Sequence, residues 1–195
     1  MKRFVTFEGI DGSGKSTVSQ QVYHKLQNQG VDVVLTVEPT DNEIGMFVQQ
    51  CIEAGADPFV TTFAFLADRI QHGLEIQRHL DKGTLVLCDR YVDSTIAYQS
   101  AQLESHVDNP MKWLKELSRP RIPKPDRTFL FVIEPKQAIQ RIQHRESLIP
   151  FEKEQFLNKV AKNYLKLSTE KRFKNLDATK PVEQLVSECI KDILE

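Results

Sequence analysis

Cysteine is scarce in this chain, and so is any excess of charge. Three cysteines, Cys51, Cys88 and Cys189, stand far apart and in odd number. They form no Cys-x-x-Cys pair, which argues against both a zinc site and a disulfide framework. Reduced thiols of this kind point to the cytoplasm. The net charge is -1, whereas a protein gripping nucleic acid through its phosphates is usually more basic. No nucleic-acid partner is expected, and any basic groups that bind a ligand must be local. No run approaches the roughly 18 apolar residues of a membrane span, so no membrane partner is expected. Lys2 and Arg3 precede an apolar stretch that already stops at Glu8, which is no signal peptide. There is no internal repeat, no low-complexity segment and no Asn-Lys-x-Asp guanine-reading motif, which argues against a regulatory GTPase.

What remains is an ordinary globular composition, 40% apolar and 27% charged. A length of 195 residues suits one sizeable core better than two, so a single domain over 1–195 is expected. Strand-like and helix-like segments alternate. Short apolar runs at 4–7, 31–35, 84–88, 129–133 and 172–176 read as strands. Residues 15–29, 43–54, 59–80, 136–145, 152–169 and 182–194 read as helices, several bounded by Gly30, Pro58 and Gly83. Five strands interleaved with helices predict an α/β fold in three layers, a parallel sheet flanked by helices. Residues 100–126, with four prolines, read as a loop around one short helix at 111–117. Mobility is expected near 147–151, where two helical patterns meet at Pro150.

One motif carries the chemistry. Gly9-Ile10-Asp11-Gly12-Ser13-Gly14-Lys15-Ser16, followed by Thr17, has the spacing of a phosphate-binding P-loop and stands between an expected strand and an expected helix. Its glycines let backbone N–H groups approach phosphate oxygens, and the helix start adds partial positive charge. Lys15 would reach the β and γ phosphates, and the Ser16 hydroxyl would ligate Mg²⁺. ATP with Mg²⁺ is therefore the expected donor. Asp89 ends an apolar strand, where it can hold the Mg²⁺ or cap the next helix.

The acceptor side is written in Phe65-x-x-x-Arg69 and in Asp89-Arg90-Tyr91-x-x-Ser94-Thr95-x-x-Tyr98-Gln99. Phe65 and Arg69 share a helix face. The ring can stack on a base or fill the core, and the guanidinium can donate to a base carbonyl or face solvent. Arg90 can hold an acceptor phosphate with paired N–H donors. Asp11 can be a turn residue and Tyr98 a packing residue. Together with Glu38-Pro39-Thr40, Ile44-Gly45, Pro125-Asp126 and Leu176-Asp177-Ala178-Thr179, these segments resemble the thymidylate kinase family along the whole length.

The resemblance implies roles. Phe65 would stack on thymine, Arg69 would bond its carbonyl, and Thr95 with Ser94 and Gln99 would read the rest of the base. Asp11 would accept from the sugar 3′-hydroxyl, Tyr98 would crowd out a 2′-hydroxyl, and Arg90 would hold the dTMP phosphate. Ala178 and Thr179 would lie against the adenine. A lid is expected near 141–153. Its Arg141 and Arg145, four apart, either stabilise the transferring charge or form a solvated face with Glu146 or Glu152. Gly12 follows Asp11, and relatives with that glycine draw the catalytic arginine from the lid. The implied reaction is ATP with dTMP giving ADP and dTDP in dTTP biosynthesis, by a homodimer paired through helices. Some departures stand out. Val37 precedes Glu38, and no arginine lies between Arg3 and Arg69, so one acceptor-phosphate contact is missing or comes from elsewhere. Ser100-Ala101-Gln102 replaces a glycine-rich run, and the lid has Pro150-Phe151-Glu152. A kinase for another deoxynucleoside monophosphate, or a nucleotide-binding homologue with weak or lost catalysis, are the alternatives.

Overall fold

The computed structural model describes residues 3–118, 122–142 and 154–195. Its strands are β1 (Phe4–Glu8), β2 (Val33–Val37), β3 (Leu85–Asp89), β4 (Arg127–Val132) and β5 (Phe173–Asp177). They form one parallel sheet in the order β2-β3-β1-β4-β5. Among the described residues, helices α1 (Lys15–Asn28), α2 (Glu43–Glu53), α3 (Pro58–Asp81), α4 (Val92–Gln102), α5 (Pro110–Ser118), α6 (Pro135–Ile142), α7 (Glu154–Leu167) and α8 (Val182–Leu194) cover the sheet. This is the three-layer α/β architecture expected. β1 and β3 are buried throughout, as strands covered on both faces must be, and Phe7 packs on Phe129 across the sheet.

Two local readings needed correction. The second strand starts at Val33 rather than at 31. The Val31 N–H is spent on the Leu26 carbonyl (3.1 Å), closing α1 around Gly30, and so cannot join the sheet. α4 was missing from the sequence reading, and its last turn falls in the stretch read as loop. Every residue from Val92 to Ala101 is buried, Asp93, Ser94, Thr95, Gln99 and Ser100 among them, so polar residues do not gather on one solvent face and there is no amphipathic period to detect. The expected lid lies outside the described residues beyond Ile142, and Arg145 with it.

Strand register gathers the site. Phe7 on β1 and Val37 on β2 both stand opposite Asp89 on β3. The segments that follow these strands therefore leave the sheet side by side, at its carboxyl edge, where open α/β sheets bind ligands. They are the Gly9 loop, the Glu38-Pro39 turn and Arg90.

Candidate active site

The P-loop turns directly from β1 into α1. Among the described residues no side chain caps the α1 N-terminus, which leaves its first N–H groups for an anion. Gly12 has φ 81°, and a Cβ there would lie 2.2 Å from the Ala138 carbonyl oxygen of α6. Gly12 thus lets the P-loop and α6 touch backbone to backbone. Lys15 is buried with its Nζ 3.5 Å from the Ile10 carbonyl. Burial, reinforced by the Arg90 charge and opposed by Asp11, Asp89 and Glu8, pulls its pKa down to about 8. The Ser13 hydroxyl is buried without a partner among the described residues.

Arg90 leaves β3 in the left-handed region, at φ 66°, a strained conformation for a residue with a side chain. Its N–H continues the ladder to the Phe7 carbonyl (3.0 Å), and the Cys88 thiol donates to its carbonyl (2.9 Å). The kink turns the guanidinium back over the P-loop. There Nη2 meets Asp11 Oδ1 at 2.7 Å and Nη1 meets the Gly9 carbonyl at 3.2 Å. The Tyr98 hydroxyl donates to Asp11 Oδ2 at 2.8 Å, and the Arg90 guanidinium stacks on the Tyr98 ring. Burial would raise the Asp11 pKa, yet the charges of Arg90 and Lys15 hold it well below the usual carboxylate range. Asp11, Arg90 and Tyr98, distant in sequence, are one unit.

Beside that unit is a cavity of about 180 Å³ lined by Phe65, Arg69, Tyr91, Thr95 and Gln99, with Glu38 at its wall. Arg69 is no solvated residue. It is 1% exposed, and its Nη2 donates to Glu38 Oε2 (2.5 Å), Thr95 Oγ1 (2.8 Å) and the Tyr91 carbonyl (3.2 Å). Among the described residues its Nε and Nη1 have no partner, and neither does Gln99 Oε1. Buried polar atoms without partners are costly, and these three belong to two residues that line one cavity. Phe65 is half-buried at the same wall. The Ser94 hydroxyl is engaged instead by Glu8 Oε2 (2.6 Å) and Arg90 Nη1 (3.1 Å). Arg69 and Arg90 are the cations of this cavity, and Val37 is 48% exposed at its strand end.

On the donor side, Asp89 Oδ1 is buried with no partner among the described residues, at the strand end beside the P-loop. Ser16 is exposed in the first turn of α1. A carboxylate oxygen without a partner among the described residues and an exposed hydroxyl fit Mg²⁺. Such an ion keeps several waters and takes its remaining ligands from phosphates. Arg141 Nη2 donates to the Ala178 carbonyl (3.1 Å), so α6 is tied to the loop holding Ala178 and Thr179. Thr179 is exposed, its N–H and hydroxyl both turned to Asp177 Oδ1.

Some residues without a role in the sequence reading prove central. Glu8 is fully buried and accepts from the Tyr91 N–H (2.8 Å), Ser94 and the Tyr164 hydroxyl (3.0 Å). Burial and the nearby Asp93 push its pKa up to about 7. Its signal was a charge closing an apolar strand. Glu38, Asp68 and His72 are buried as well, and nothing local marked His72 or Asp68.

A family model described as thymidylate kinase matches residues 7–189. A protein of Methanosarcina mazei named probable thymidylate kinase is 39% identical, over 99% of this chain and 96% of its own length. Proteins of the same name from Sulfurisphaera tokodaii (38%, over 99% of this chain and 96% of the relative) and Pyrobaculum calidifontis (34%, over 96% and 93%) are similar along nearly the whole chain.

Proposed function

The chain belongs to the thymidylate kinase family, and from that premise we propose that it transfers the γ-phosphoryl group of ATP to dTMP, giving ADP and dTDP. The observation that carries this reading is the set of buried atoms, unpartnered among the described residues, on two side chains that line the acceptor cavity. Arg69 Nε and Nη1 are donors and Gln99 Oε1 is an acceptor. Thymine presents the complement, a 4-carbonyl acceptor beside an N3–H donor, whereas cytosine presents the reverse.

An oxygen of the dTMP phosphate attacks the γ-phosphorus as the bond to the ADP oxygen breaks. The nucleophile is already anionic, so positioning and charge stabilisation supply the catalysis. Lys15 neutralises the transferring group. Arg90 holds the acceptor phosphate, sharing its fork with Asp11, which accepts from the sugar 3′-hydroxyl. Tyr98 stands where a 2′-hydroxyl would be. Arg141, and Arg145 from the segment after α6, bring further positive charge. Ala178 and Thr179 flank the adenine. Ser16 and Asp89 would hold Mg²⁺, which when bound neutralises charge on the phosphates.

The protein acts as a homodimer. On α3, Val60, Phe63, Ala67, Ile70 and Leu74 are all exposed and recur at the spacing of a helix–helix seam. Three buried free thiols suit the reducing cytoplasm.

The deciding experiment is ADP release with dTMP, dUMP, dCMP and dGMP as acceptors. We expect dTMP to lead, dUMP to follow, and dCMP and dGMP to fall at least about 100-fold lower in kcat/KM. Equal use of all four would refute the base-reading cavity. Binding of both nucleotides without dTDP formation would refute the enzyme.

A further inference from the structure

The face of α3 that presents Arg69 carries one more polar group. His72 is three residues further on and 2% exposed. Its Nδ1 is 2.8 Å from Glu38 Oε1, and its Nε2 is 2.8 Å from the Thr36 hydroxyl of β2. An ionised carboxylate only accepts, so Nδ1 donates to Glu38. In the neutral ring, Nε2 then accepts from Thr36. The other carboxylate oxygen, Glu38 Oε2, takes Arg69 Nη2, which also reaches Thr95 Oγ1. One chain of hydrogen bonds therefore runs from Thr36 through His72, Glu38 and Arg69 to Thr95, linking β2, α3 and α4.

In this chain the two ends of Arg69 have different duties. Nη2 is committed to protein acceptors, while Nε and Nη1 are buried without a partner among the described residues. The guanidinium is a rigid plane, so where Glu38 pulls Nη2 decides where the free N–H groups aim. His72 holds the opposite oxygen of Glu38 and so sets that pull. With His72 gone, Glu38 Oε1 would be a buried, unpartnered carboxylate oxygen. The carboxylate would turn to find a donor, and the Arg69 fork would turn with it. The Tyr91 ring, in contact with both Arg69 and His72, fills the space beneath the pair and leaves little room for another arrangement.

We propose that His72 is a positioning residue for acceptor recognition: without touching the nucleotide, it orients Glu38, which aims the free N–H groups of Arg69 at the 4-carbonyl of the pyrimidine. This rests on the base-reading role of Arg69 given above. A purely space-filling histidine would, on loss, lower stability and depress all kinetic constants together.

Steady-state kinetics of His72→Leu, His72→Asn, Thr36→Val and Arg69→Lys tests the proposal. His72→Leu should raise the KM for dTMP about tenfold, the size of one charge-assisted hydrogen bond. The KM for ATP and kcat should stay within about twofold, and discrimination against dCMP should weaken. His72→Asn, which keeps a donor near the Nδ1 position, should restore most of the dTMP affinity. Thr36→Val loses only the far bond and should raise the dTMP KM about threefold; it provides the readout should His72→Leu not fold. In an Arg69→Lys background, His72→Leu should add nothing, because its route to the base is gone. An undiminished His72 effect in that background, or a parallel loss in kcat and both KM values, would overturn the proposal. Arg69→Lys without effect on dTMP would defeat the base-reading role itself. Arg69→Lys with an effect and His72→Leu and Thr36→Val without one would defeat the role of His72 alone.

Discussion

Lys15 is buried beside another cation, Arg90, and the resulting pKa of about 8 has a kinetic consequence. In the free enzyme, raising the pH through about 8 removes the proton from Lys15 and with it the charge that meets the phosphates. The bound triphosphate brings negative charge, which favours the protonated form. The sign is therefore fixed: kcat/KM for ATP should fall as pH rises above about 8, while kcat holds to higher pH. A pH profile of both constants checks this, and an ATP profile flat to pH 10 would contradict it. Lys15→Ala should abolish turnover with the fold intact by circular dichroism. Lys15 was legible because the motif that identifies it, Gly9 to Ser16, is contiguous in the chain. Glu8 was not, because its partners Tyr91, Ser94 and Tyr164 lie up to 156 positions away.

Among the elements, the Glu38-Pro39 turn, α2 and α3 meet at close quarters. Gly45, in the first turn of α2, would place a Cβ 2.0 Å from the Thr40 carbonyl oxygen. Thr40 cannot step aside, since Asp68 of α3 holds its N–H at 2.9 Å and its hydroxyl at 2.5 Å. Gly45→Ala should therefore destabilise the protein by about 1–3 kcal/mol, the usual cost of overpacking. A lower urea midpoint at unchanged m-value would report it. Asp68 adjoins Arg69, so the same variant should also raise the KM for dTMP. The Ile44-Gly45 pair was visible in the sequence only as a family landmark. Its physical reason is a clash with backbone that local patterning does not describe. α4 failed to register for a related reason: in a helix enclosed on all sides, polar residues no longer segregate to the one solvent face by which helices are recognised.

For the molecule as a whole, α3 presents two different faces. One face carries Phe65, Arg69 and His72, and the other carries the exposed Phe63, Ile70 and Leu74. Pairing through the second face would stiffen the helix that aims the first. Ile70→Glu combined with Leu74→Glu should convert a dimer to a monomer in sedimentation velocity. Its cost to unfolding free energy within the protomer should be small, because both side chains are solvent-facing there. A wild-type protein that sediments as a monomer at all concentrations would refute the dimer.

The α/β class, the five strands, most of the helices and the P-loop motif with Lys15 could be read along the chain; α4 could not. These depend on side-chain period and on turns of a few residues, where cause and effect are close in sequence. The pairing of Asp11 with Arg90 across 79 positions, the sharing of Ser94 by Glu8 and Arg90, and the chain from Thr36 to Thr95 depended on folding. The first two require β1 and β3 to lie in register and the third requires β2 to pack beside α3, arrangements set by packing across the sheet rather than by any neighbour in sequence.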